Sequence, residues 1–197
     1  MQDFWFYIQL GLGHVLDINA YDHVLFLTAL TLPFTFKSWK NVVLLATIFT
    51  AAHCLSLALS AYELVVVEVR LIEFLIPVTI LMTAIFNLLF VKSGASTENL
   101  WLHALATAFF GLIHGFGFSN YFKMLMAEED DKLSPLLGFA VGIEISQISI
   151  VLSVLTLSLI FSSTTKLKHG TFILIFSILV IVLTLPMLLQ TFPFGAS

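Results

Sequence analysis

His14, Asp22, His23, His53, Glu73, His114 and Glu144 are nitrogen and carboxylate donors in a chain of which only 10% of residues are charged. Imidazole combined with carboxylate suits zinc, nickel, cobalt or ferrous iron, whereas calcium and magnesium favour oxygen alone. Without a cysteine cluster, copper(I) is disfavoured. Cys54 is the single cysteine, so an intrachain disulfide is excluded. Glu144 and Gln147 lie three apart and share a helix face, on which one can ligate while the other hydrogen-bonds it. At about 100° per residue, His14 and His23 point to opposite faces of a straight helix. Both can reach one ion only if the chain breaks between them, and Asp17-Ile18-Asn19 is the expected break.

The elements that must carry these donors follow from composition. The chain has 197 residues, is 59% hydrophobic and contains 20 Phe, too little polar surface to cover a water-soluble particle. A mean hydropathy of +1.06 points to lipid as the solvent. Apolar stretches of the length a bilayer requires run over 20–36, 41–60, 69–91, 100–121, 135–161 and 170–190. The expected fold is therefore all-α, a polytopic transmembrane bundle of about six spans in one domain, 1–197. The segment Phe4 to Val15 is apolar but short and is interrupted by glycines and by Asp17-Ile18-Asn19. It reads as an interfacial or half helix, with a seventh span as the alternative.

Lys37, Lys40, Lys92, Lys166 and Lys168 fall in loops on one side, against Arg70, Lys123 and Lys132 on the other. The positive-inside bias then places both termini outside. Trp39 and Trp101 sit at span ends, where indole prefers the headgroup level. The opening residues Met1-Gln2-Asp3-Phe4-Trp5 lack a basic n-region and a cleavage site and are expected to be mature sequence. The net charge of −4 owes much to Glu128-Glu129-Asp130-Asp131, which argues against a nucleic-acid partner.

With this orientation the donors of five alternating helices fall at similar depth in the outer half of the bundle. Ionisable groups are costly in hydrocarbon, so such a gathering is expected to bind a metal; the plainer reading is a polar network that fixes helix packing. Gly111, Gly115, Gly117 and Gly138, Gly142 place small residues close to this level and suggest that the helices at 100–121 and 135–161 are neighbours. Glu73, Pro77, Ala84 and Asn87 form a stripe along one helix, which could line a route inward, with Pro77 as a bending point. His103 and His169 fall near span ends at the other face and read as interfacial, and Asp17 as a helix cap.

These residues also carry a resemblance. Gly13-His14, Asp22-His23-Val24-Leu25-Phe26, Phe49-Thr50-Ala51-Ala52-His53, Glu73-Phe74-Leu75-Ile76-Pro77, Phe110-Gly111-Leu112-Ile113-His114-Gly115-Phe116-Gly117-Phe118 and Gly138 to Gln147 resemble the motifs of the HupE/UreJ family of hydrogenase and urease accessory membrane proteins. The resemblance spans roughly residues 11 to 150. It implies a multi-pass inner-membrane nickel or cobalt permease whose polar motifs match His14, Asp22, His23, His53, Glu73, His114 and Glu144. Related nickel–cobalt permeases space their His and Asp-His more closely than His14 and Asp22 are spaced here.

The leading expectation is a permease for a divalent transition metal. An intramembrane zinc-type hydrolase with Glu73 or Glu144 as general base is the alternative, and a metal-stabilised scaffold or sensor is a third reading. No HExxH motif supports the hydrolase, and no Gly-x-x-x-x-Gly-Lys-Ser/Thr loop supports ATP-driven pumping. Expected partners are the bilayer and the ion, with a homo-oligomer or another membrane protein as the protein partner left open.

Overall fold

The structure, a computed structural model, describes residues 2–93, 100–127, 131–165 and 167–193. Glu128 to Asp130 of the acidic run, and Lys166, lie outside the described residues. Seven α-helices form among those described: α1 (Gln2–Val15), α2 (Asp22–Thr31), α3 (Trp39–Ala61), α4 (Val69–Ser93), α5 (Leu100–Leu125), α6 (Leu133–Thr165) and α7 (His169–Gln190). Helices satisfy every interior backbone group within one segment, which is what hydrocarbon demands of a spanning chain. Helices α3 to α7 are each long and apolar enough to cross a membrane.

The connection after α3 defines one end of the bundle, here the Tyr62 end; the start of α3 defines the other, the Trp39 end. At the Tyr62 end the chain turns through Glu63 at φ 58°, a left-handed residue that closes α3 with hydrogen bonds from Glu63 and Leu64 back to Ser60 and Leu59. Lys132 Nζ donates to the Ala61 carbonyl at 2.9 Å and lies 5.6 Å from the Tyr62 ring, so the start of α6 is clamped to the end of α3.

The first crossing is the unusual one. At 1.5 Å per residue α1 is about 21 Å and α2 about 15 Å long, and neither spans a hydrocarbon layer of about 30 Å. Helix α1 runs in the same direction as α6, with Phe4 beside Gly138 and the Ser146 hydroxyl on the Leu12 carbonyl. Helix α2 then continues to the Trp39 end, where Asn87 of α4 donates to the Ala29 carbonyl at 2.7 Å. Together α1 and α2 make a single interrupted crossing, so the expected half helix is half of the first span and not an addition to it. The break at 16–21 holds an Asx turn, Asn19 N to Asp17 Oδ1 at 2.8 Å; Asp17 therefore stabilises the break and does not cap α2.

Both glycine pairs have packing duties, but not towards each other. A Cβ on Gly111 would meet the Phe49 carbonyl oxygen at 2.7 Å, and one on Gly115 the His53 carbonyl carbon at 3.0 Å, so these glycines seat α5 on α3. Gly138 and Gly142 instead receive Phe4, Tyr7, Ile8 and Leu12 of α1. The close backbone contacts are therefore α3 with α5 and α1 with α6, while α5 and α6 meet through rings, Phe118 and Phe122 against Phe139 at 5.3 Å each. Helix α7 lies antiparallel on α4, Val91 near Gly170 and Phe74 near Phe192, so both termini leave from the Tyr62 end.

Candidate metal centre

Four of the six histidines meet at the break in the first crossing. His14 is delivered by the last turn of α1 and His23 by the first turn of α2, with ring centroids 4.6 Å apart. The break between them removes the opposition that a straight helix would impose. His53 from α3 approaches to 5.6 Å of His14 and 5.5 Å of His23, and His114 from α5 to 5.4 Å of His23. His23 is thus the centre, touching all three others. One ring nitrogen of each of His14, His23 and His53 lies within 4.8 Å of the other two. A tetrahedral ion with metal–nitrogen bonds of about 2.1 Å needs nitrogens about 3.4 Å apart, a closure small enough for side-chain torsions.

Two of the imidazoles are already oriented. Asp22 Oδ1 faces His23 Nδ1 at 3.0 Å and also accepts the His23 backbone N–H at 2.8 Å, so the ring proton is drawn to Nδ1 and the Nε2 lone pair is left for an ion. His114 Nδ1 donates to the Phe110 carbonyl at 2.9 Å one turn back, with the same consequence. His14 Nε2, His23 Nε2, both nitrogens of His53 and His114 Nε2 are buried with no hydrogen-bond partner among the described residues. Unpartnered buried polar atoms are costly, and five converging on one place call for a ligand.

At 1.5 Å per residue His53 lies about 12 Å and His114 about 16 Å from the Tyr62-end termini of their helices, so the cluster is well inside the bundle. Its walls are aromatic. Phe26 and Phe49 stack at 4.8 Å, Phe118 lies 4.0 Å from the His14 ring, and Phe139 5.5 Å from it. Such a shell would keep water from competing for a bound ion and strengthen its contacts with the imidazoles. The spacing of Phe49 with His53 and of Phe110 with His114, each one helical turn, is the signal that several phenylalanines serve the histidines.

Among the other candidates, Glu144 and Asn87 have their hydrogen-bond partners outside this cluster. Glu144 is held at the α3–α6 seam, its carboxylate oxygens 2.5 Å from Thr47 Oγ1 and 2.6 Å from Thr50 Oγ1. Glu73 is exposed on the first turns of α4. Asn87 is committed to the Ala29 carbonyl, and α4 continues as a helix through Pro77. Gln147 is fully buried, with neither amide atom partnered among the described residues. His103 and His169 lie at the Trp39 end, His103 beside Phe34 and His169 Nδ1 3.2 Å from Ser158 Oγ.

A polytopic α-helical bundle with imidazoles gathered at an interrupted helix defines a multi-pass membrane protein with a candidate cation site. The family model for the HupE / UreJ protein matches residues 1–191, and the chain belongs to that family. Comparison with curated proteins and with solved structures gave no match.

Proposed function

We propose that the chain is a permease for a divalent transition-metal ion, nickel or cobalt before zinc or iron, and that the ion is its substrate. The single observation that carries this reading is the convergence of five buried, unpartnered imidazole nitrogens at the point where the first crossing is interrupted. His14, His23 and His53 are the proposed direct ligands. His114 supplies a fourth nitrogen at one edge, and Asp22 orients His23 and offsets part of the ion's charge. Broken helices place irregular backbone and ligands deep in the membrane, the arrangement transporters use for ion sites.

The Tyr62 end is the proposed outer face of an inner membrane, since the loops at the Trp39 end carry more Lys and Arg in the sequence than those at the Tyr62 end. Glu73, exposed at the Tyr62 end, would attract the cation before it meets the histidines. Passage onward requires the α1–α2 break to shift against α3 and α5, with the Asn87 contact holding α2 to α4.

The test is metal binding to the detergent-solubilised protein, followed by uptake into reconstituted vesicles under the metal's own gradient. Near-stoichiometric binding with flux, both lost in His53→Ala, is the expected result. Binding without flux overturns the permease reading, and absence of binding reduces the cluster to a packing network.

A further inference from the structure

The carboxylate of Glu144 has no place in the binding scheme above, yet it sits deep in the membrane with its hydrogen bonds arranged in an informative way. Glu144 is eleven residues into α6, so it lies about 16 Å from the Tyr62 end. It is half-buried in the seam with α3, and the side chains around it on the lipid side, Leu44, Val141 and Ile145, are 49%, 42% and 48% exposed. A permanently ionised carboxylate in that position is expensive.

The hydroxyl inventory resolves the expense. Thr47 Oγ1 lies 3.0 Å from the Val43 carbonyl and 2.5 Å from Glu144 Oε1; Thr50 Oγ1 lies 3.2 Å from the Ala46 carbonyl and 2.6 Å from Glu144 Oε2. Each hydroxyl has one hydrogen to give. With Glu144 ionised, both hydrogens go to the carboxylate, and the two carbonyls keep their helix bonds. With Glu144 protonated, its own O–H donates to one threonine, which is then free to donate to its carbonyl. Both protonation states are therefore satisfied without moving a heavy atom.

We infer that Glu144, with Thr47 and Thr50, is a proton-carrying site distinct from the metal site, and that the proton it exchanges is coupled to metal movement. The inference rests on the permease reading. Glu144 takes one proton from the water on one side and returns it to the water on the other, and the carboxylate is regenerated in each cycle. Among the titratable groups on helices packed against α6, His14 on α1, Asp22 and His23 on α2, and His53 on α3 interact electrostatically with one another and with His114. His169 of α7 lies at the Trp39 end against Ser158. Cys54 lies four residues beyond Thr50 on α3 and is a titratable group near this seam.

The test uses full-length protein in vesicles with nickel as the probe, comparing flux under a nickel gradient alone with flux under an added pH gradient. The wild type should respond to the pH gradient. Glu144→Gln should bind nickel as the wild type does and pass it down its own gradient, but lose the response to pH. Thr50→Val removes a donor to the ionised form, so the pH response should move to higher pH than in the wild type. A protonated-carboxyl infrared band absent from Glu144→Gln should titrate with the same midpoint. A pH response retained in Glu144→Gln overturns the inference, as does loss of nickel binding in that variant, which would make Glu144 a ligand. If the wild type binds nickel but passes none, the permease reading fails and this inference falls with it.

Discussion

At the residue scale the chemistry turns on which nitrogen of each imidazole is left free. His23 and His114 each have Nδ1 engaged, by Asp22 and by the Phe110 carbonyl, and present Nε2 inward. Asp22→Asn keeps the shape but loses the charge that holds the His23 tautomer, so metal affinity should fall by about 10–100-fold in a competition titration. Removing a nitrogen outright, in His53→Ala or His114→Ala, should lower it further. His169→Ala, altering a residue that meets Ser158 at the Trp39 end, should leave affinity unchanged. Equal losses in Asp22→Asn, His114→Ala and His169→Ala would mean that the cluster is not the binding site. All the proposed ligands were visible in the sequence as polar residues in apolar runs. Their division was not: Glu144 shares the depth of the histidines but faces Thr47 and Thr50, and nothing in residue type or spacing within α6 discloses what α3 offers it.

At the scale of elements, the site exists because α3 and α5 approach closely enough for His53 and His114 to reach the same histidine, His23. Gly115 permits that approach. Gly115→Val adds a Cβ against the His53 backbone, where nothing can yield without parting the helices. The variant should melt lower than the wild type and lose metal binding. Gly13→Ala meets nothing within 4 Å and should keep its melting temperature, although it adjoins His14. A normal melting temperature for Gly115→Val would show that α3 and α5 are not seated as described. The apolar runs disclosed α3 to α7 nearly to their ends, since each had to fill a membrane's thickness. They did not disclose that α5 would choose α3, or α6 choose α1, because a glycine pair announces a close contact without naming its partner.

At the scale of the molecule, the proposed ligands come from four helices, so an ion bound at their meeting point would tie α1, α2, α3 and α5 together. Binding only to the folded state stabilises it by about 2.7 kcal/mol at a metal concentration one hundred times Kd. Thermal melting should therefore shift upward with added nickel in the wild type and stay fixed in His53→Ala; a shift in both would place the ion elsewhere. Six crossings, the first shared by α1 and α2, put both termini at one end. In a Cys54→Ser background, single cysteines at Gln2 and Tyr62 should be labelled from the same face of sealed vesicles, and one at Lys37 from the opposite face. What the sequence determined by itself was the solvent, the helical class, the positions of the long spans and the family; it supplied a pool of candidate donors without dividing them. Those follow from local composition, from the length a bilayer imposes and from motifs read along the chain. Only the tertiary structure decided that two short helices share one crossing and that their break gathers four histidines while Glu144 is left at a separate seam. Such choices depend on which helix faces meet, and the meeting is fixed by contacts between residues far apart in the chain.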